Sequence, residues 1–134
     1  MWTGSGWGGT EGEVTQSFFI GARLPGLNEL IELRARSPHA YRRAKEKWGQ
    51  VVAMFARRDG MVAMESPVRF RFHFVEPDAR RDPDNVCSAA IKVILDALKK
   101  LGTIPDDSQA WVKGIVLSWE VGTPIGVKVT MEEA

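Results

Sequence analysis

The stretch Val68-Arg-Phe-Arg-Phe-His-Phe-Val75 decides the fold class. Val68, Phe70, Phe72 and Phe74 fall on one side of an extended chain, and Arg69, Arg71 and His73 fall on the other. That two-residue period marks a β-strand with one buried face. Three phenylalanines on one face require an apolar layer against them, and helices packed on a sheet supply it. The opposite, basic face is expected to be wet or bound to an anion.

On the C-terminal side of this strand, the run from Arg80 to Gln109 reads RRDPDNVCSAAIKVILDALKKLGTIPDDSQ. It predicts a helix from about Asp82 to Leu101, stopped by Gly102. On the N-terminal side, a helix is expected to begin near Ser37 with Pro38 at its first position. Tyr41, Ala44, Trp48, Val51 or Val52 and Phe55 repeat at helical spacing to about Arg57, and Asp59-Gly60 ends the helix. Leu24-Pro25-Gly26-Leu27-Asn28 reads as a bend. Val14 to Ile20 predicts a first strand, and Ala110 to Val121 and Gly126 to Met131 predict two more. The order β-α-β-α-β-β implies an α+β domain over residues 13–134, with helices on a small mixed sheet. Residues 1–12 (MWTGSGWGGTEG) are expected to be disordered. Gly4, Gly6 and Gly9 satisfy GxGxxG, but no strand precedes them and no helix follows, so a dinucleotide site is excluded.

A chain of 134 residues, 44% apolar and 26% charged, has the composition of one ordinary globular domain. The single cysteine, Cys87, excludes an intrachain disulfide and fits a reducing cytoplasm. No apolar run long enough to span a membrane and no secretory leader is expected. The net charge of +1 conceals an asymmetry: residues 20–75 hold eleven Lys or Arg against five Asp or Glu, and residues 76–134 hold seven against ten. A basic half facing an acidic pocket could steer a polyanion toward a cation site. Solvated helix surfaces would produce the same counts.

The acidic surplus gathers around the second helix, with Asp82 and Asp84 at its start and Asp106 and Asp107 past its end. Lys92 lies between, and Arg80 and Arg81 stand immediately before. Carboxylates held close together repel unless a proton or cation intervenes, and Mg²⁺ takes carboxylate, water and phosphate oxygens. Taken alone, Asp82-Pro83-Asp84-Asn85 is also a plain helix start, with Asp82 as N-cap and Asp84 in the favourable first turn. The second acidic pair and the flanking arginines argue for more than a cap. Arg69, Arg71, Arg80 and Arg81 are the expected phosphate contacts, which position DNA without reading sequence.

The series RRDPDN, a lysine before Ile-Leu-Asp-Ala-Leu, glycine, then Asp-Asp-Ser-Gln resembles the RusA family of Holliday-junction resolvases. The Leu-Pro-Gly-Leu-Asn segment is similar to a motif of its phage-type branch. The resemblance is specific over Arg80 to Gln109, weaker over residues 20–75 and absent from the first twelve. It implies a Mg²⁺-dependent endonuclease (with Mn²⁺ a possible substitute) that resolves four-way DNA junctions in recombination and repair. Paired symmetric nicks with 5′-phosphate ends imply a two-fold homodimer. Asp82, Asp84 and Asp107 match the essential carboxylates, as catalytic residues and metal ligands, and Asp106 is a neighbour. The essential lysine usually stands one turn after DxDN, where this chain has Ser88; Lys92, a turn later, takes that role.

Other candidates carry less. His39 and His73 are too few for a histidine site, and His73 reads as a solvated strand residue. Cys87 reads as a small packing residue, Asp96 as a surface acid, and Trp48, Trp111 and Trp119 as core or half-buried. Besides the nuclease, two further readings remain: a branched-DNA-binding protein without cleavage, prompted by Ser88, and a phosphoesterase acting on small molecules. The arginine-rich strand and the lack of a glycine-rich phosphate loop count against the latter.

Overall fold

The alternating stretch forms one of the two inner strands of a four-stranded mixed sheet. A computed structural model describes residues 14–134, so the disorder expected for residues 1–12 lies outside the described residues. In chain order the elements are β1 (Thr15–Ile20), α1 (Leu27–Arg36), α2 (Pro38–Arg58), β2 (Val68–Glu76), α3 (Pro83–Leu101), β3 (Val112–Val121) and β4 (Gly126–Glu133). The sheet order is β1-β4-β2-β3. α3 connects β2 to a parallel β3, while β4 runs antiparallel to both β1 and β2. The α+β class and the mixed sheet are as expected. No helix among the described residues is long and apolar enough to cross a membrane.

The phenylalanine face of β2 is the floor of the core. Phe70, Phe72 and Phe74 are each at most 2% exposed, and the rings of Phe70 and Phe72 stack at 5.4 Å. Ala90, Ile94 and Leu98, a helical row on α3, are fully buried in the same cluster with Val52 and Ala56 of α2. Burying a phenylalanine stabilises by about 1.5–3 kcal/mol, so β2 alone anchors the domain with several such terms. Gly102 closes α3 with φ +79°, a left-handed conformation that favours glycine.

The fold has one helix more than the sequence pattern predicts. The expected bend is shorter, and Leu27–Arg36 is α1. Ser37 separates it from α2 by acting at both ends. Its N–H donates to the Leu33 carbonyl (2.9 Å), and its hydroxyl accepts from the Ala40 N–H (3.2 Å). The proline and glycine at positions 25 and 26 drew the sequence reading toward a turn. The signal for α1 was nevertheless present: Leu27, Leu30, Ile31 and Arg34 follow helical spacing, and the Glu29 carboxylate accepts the Gly26 N–H at 3.3 Å.

The two edges of the sheet are treated differently. At β1 the Phe19 N–H donates to Asp59 (2.9 Å), and Arg58 donates to the Phe19 carbonyl (3.3 Å). The Gln16 amide exchanges hydrogen bonds with the Val62 backbone, both 2.9 Å. Among the described residues β3 pairs with β2 alone. Ile115, Leu117 and Trp119 lie in register with the buried phenylalanines, and Val121 with Glu76, yet these four are 38–57% exposed. Trp119 is therefore an exposed side chain, not the core or half-buried one expected, because the helical layer stops short of this strand. Trp48 and Trp111 are half-buried, as expected.

Candidate metal and nucleic-acid site

α3 carries every acidic residue singled out above, or leads to it. Asp82 takes the N-cap position with extended backbone, and Pro83 follows at the first helical position. Its carbonyl accepts the Val86 N–H (2.9 Å), but its carboxylate makes no cap hydrogen bond. Asp84 lies in the first turn, and both carboxylates are exposed. Among the described residues neither has an ion-pair partner, and the helix N-terminus favours their charge.

The loop that presents them is fastened from behind. Glu76, the last residue of β2, is 8% exposed. Arg81 grips it with two parallel hydrogen bonds, Nε to Oε1 and Nη2 to Oε2, both 2.8 Å. The third guanidinium nitrogen donates to the Leu24 carbonyl (3.1 Å) and to Glu29 (3.3 Å). Arg23 adds a longer contact to Glu76 at 3.3 Å. Asn85 accepts the Asn28 N–H at 2.8 Å. The Leu24–Asn28 and Asp82–Asn85 segments, far apart in sequence, thus meet. Gly26 sits where they touch: a Cβ there would come within 3.0 Å of the Asn85 amide and 3.1 Å of Arg81.

This arrangement changes the reading of the arginines. Arg81 is committed to Glu76 inside the fold, and a phosphate contact would require breaking that pair. Arg71 is 3% exposed with Nη2 3.2 Å from Glu132 of β4, so the anion on the basic face is internal. Both corrections have one cause: a planar guanidinium near a buried carboxylate satisfies both groups at once. Arg69 is half-buried, in register with Glu132. Arg80 is open to solvent, 88% exposed with Asp78 at 4.0 Å. His73 is not solvated as expected. Its ring nitrogens meet the Ser118 hydroxyl at 2.6 Å and Glu120 at 2.9 Å, tying β2 to β3.

Farther along α3 the charges are paired. Lys92 Nζ lies 3.2 Å from Asp96 and 3.4 Å from Asp107, bringing together the lysine and third carboxylate singled out in the sequence. Its pKa is raised, chiefly by Asp96 and secondarily by Asp107. Lys99 approaches Asp106 (3.7 Å) and Asp107 (3.9 Å). Asp106 is held below the usual carboxylate range, first by the Ser108 hydroxyl and then by backbone and Lys99. Ser88 turns its hydroxyl back to the Asp84 carbonyl. Asp96 pairs with Lys92, in keeping with a surface acid. Cys87 is buried and its thiol is pushed up to about 11, mainly by burial, which suits a packing residue.

Among the described residues no three Asp, Glu, His or Cys side chains are grouped closely enough to hold a metal ion. Asp107 is gathered with Lys92 and Lys99, not with Asp82 and Asp84. Two exposed oxygen donors remain at the start of α3. That donor set fits Mg²⁺, which uses one or two carboxylates and completes its shell with waters and phosphate oxygens. Sequence reading missed Glu76 and Glu29, whose partners lie five and fifty-two residues away. An acid closing a buried strand just before an arginine pair was the available signal for Glu76. No protein-family model matches the chain, and no curated protein matches it.

Proposed function

We propose that this protein is a Mg²⁺-dependent endonuclease that resolves four-way DNA junctions, as its resemblance to the RusA family implies. One observation carries the reading: two exposed carboxylates, Asp82 and Asp84, stand at a helix start with no ion-pair partner among the described residues, on a loop fastened by Arg81 and Glu76. Two exposed carboxylates on a fastened loop are the donor set that Mg²⁺ uses together with waters and phosphate oxygens.

Asp82 and Asp84 would hold Mg²⁺, or Mn²⁺ in its place. An ion held there would polarise a phosphoryl oxygen and lower the pKa of a water. Lys92, kept protonated by Asp96 and Asp107, carries positive charge toward the leaving oxygen. Asp107 holds that lysine and joins the metal set only by releasing it. Of the four arginines expected at phosphate, Arg80 is the one open to solvent. A homodimer fits the edge of β3, which has no further strand beside it among the described residues: antiparallel pairing about Leu117 would set Ile115 opposite the partner's Trp119 and extend the sheet across a two-fold axis.

The experiment incubates purified protein with a synthetic four-way junction, a linear duplex and a flap, with and without Mg²⁺. Symmetric nicking of the junction alone is the expected result. Binding without nicking in either Mg²⁺ or Mn²⁺ establishes the second reading, a branched-DNA-binding protein. That reading draws on Ser88 at the usual lysine position and on Asp107 being engaged by two lysines.

A further inference from the structure

We infer that the pocket enclosed by α1, α2 and α3 receives one unpaired nucleotide of a DNA strand. Naming DNA as the polymer rests on the proposed nuclease reading, but the pocket's chemistry is independent of it. The cavity holds about 250 Å³. Leu30, Ala89 and Val93 form its buried apolar floor, and Ile31, 56% exposed, stands at the rim. Tyr41 forms one wall.

Among the described residues three cations line the cavity, Arg34, Lys45 and Lys92, the last with its ammonium on Asp96 and Asp107, and no carboxylate lines it. The Arg34 guanidinium carbon and the Lys45 ammonium each lie 5.5 Å from the centre of the Tyr41 ring. At that separation the cations are only loosely held by the ring, and a phosphate can draw either one away. A ligand matched to this site needs a flat apolar body and a negative charge beside it. A nucleotide has both: the base lies against the floor and Tyr41, and the phosphates meet Arg34 and Lys45.

The position of the pocket favours a nucleotide within a strand. Lys92 and Ser88 both line it, and the Ser88 hydroxyl bonds the Asp84 carbonyl one turn away. A second depression of about 540 Å³ between α2 and α3 shares Tyr41 and Lys45 and continues past Arg42, Arg57 and Lys100. Glu46 and Asp96 also line it, so the cations there outnumber the acids without excluding them. Phosphates on one side of the inserted base have a path along that groove. A base stacked in duplex cannot enter such a slot, whereas a branch point exposes one at small unstacking cost. The pocket therefore selects branched over linear DNA.

The test measures binding by fluorescence anisotropy in EDTA, using a labelled four-way junction and a labelled linear duplex of equal length. Tyr41→Ala is expected to weaken junction binding about tenfold and duplex binding less than twofold, with Tyr41→Phe close to wild type. Arg34→Glu, on an exposed side chain that leaves the fold intact, is expected to act in the same direction. A junction carrying 5-iodouracil beside the branch should cross-link on irradiation to the peptide containing Tyr41. Equal losses on junction and duplex, no loss, or cross-links only elsewhere overturn the inference. So does protection of Tyr41 by free thymidine 5′-monophosphate with no cross-link to the junction, which would make this a site for free nucleotides. A protein that nicks junctions normally as Tyr41→Ala keeps the nuclease reading and loses this one. A protein that cross-links at Tyr41 but never nicks does the reverse.

Discussion

The two acidic clusters flanking α3 have the same composition and opposite surroundings. Asp82 and Asp84, at the start, are exposed and have no ion-pair partner among the described residues. Asp106 and Asp107, past the end, are met by Lys92 and Lys99 at 3.4–3.9 Å. Two carboxylates at a helix N-terminus gain from the helix dipole and stay exposed to solvent. Lysine-paired carboxylates at the other end are already neutralised. The contrast separates a place that can take a cation from a place that has one, although the sequence presents both as Asp-rich motifs.

The largest expected effect comes from removing charge at the unpaired end. Asp84→Asn should cut junction nicking in Mg²⁺ to below about a tenth of wild type, while junction affinity in EDTA is unchanged or slightly raised. Nicking above that level removes Asp84 from the ligand set and erases the contrast. Next in size is the fastening behind that end. Glu76→Ala leaves Arg81 without its bidentate partner, and truncating one member of a buried pair costs about 3–5 kcal/mol. Urea unfolding measures this, and a loss under about 1 kcal/mol would mean that the pair does not hold the loop.

Arg80→Ala sharpens the arginine assignment. The slope of log affinity against log salt should fall by about 0.9, one phosphate contact, while Arg71→Ala loses stability instead. An unchanged slope for Arg80→Ala excludes the contact. The smallest effect belongs to the paired end. Lys99→Ala should leave the urea midpoint close to wild type, because Lys99 and Asp106 are both substantially exposed. If it instead raises nicking, Asp107 is limited by its lysines and joins the metal once released. Cys87 supplies a pH check on the helix between the clusters. Its thiol ionises near 9.0 when unfolded and near 11 in the fold, so the native state retains a proton that the unfolded state has lost. Its contribution to stability should therefore decline as pH rises above about 9. A denaturation midpoint of Cys87→Ala that falls as steeply there as wild type would assign the decline to other groups.

The legible parts of the fold were those with short-range causes. The period of two along Val68–Val75, Pro38 after Ser37, and Gly102 after Leu101 each act within a few residues, and each element lies where they indicated. α1 was passed over because Pro25-Gly26 is a strong local turn signal, although the apolar spacing that follows it is helical. The site was legible in its residue types and only partly in its groupings. Lys92 and Asp107 do meet. Arg71 and Arg81, read as hands for phosphate, are spent on Glu132 and Glu76. Trp119, read as core, is exposed because burial depends on how far the helical layer extends, which no local pattern encodes.

What the chain order of side chains established is the α+β class, the buried face of β2, the start and stop of α3, and the presence of acids at both of its ends. Each follows from steric and hydrogen-bonding rules that operate over one or two turns of backbone. Which acids keep an unbalanced charge was decided by tertiary packing. Arg81 reaches the Leu24 carbonyl and Asn85 reaches Asn28, each across 57 residues, only after the sheet and helices close. Charge pairing falls off over a few ångströms, so it responds to distances that exist only in the folded molecule.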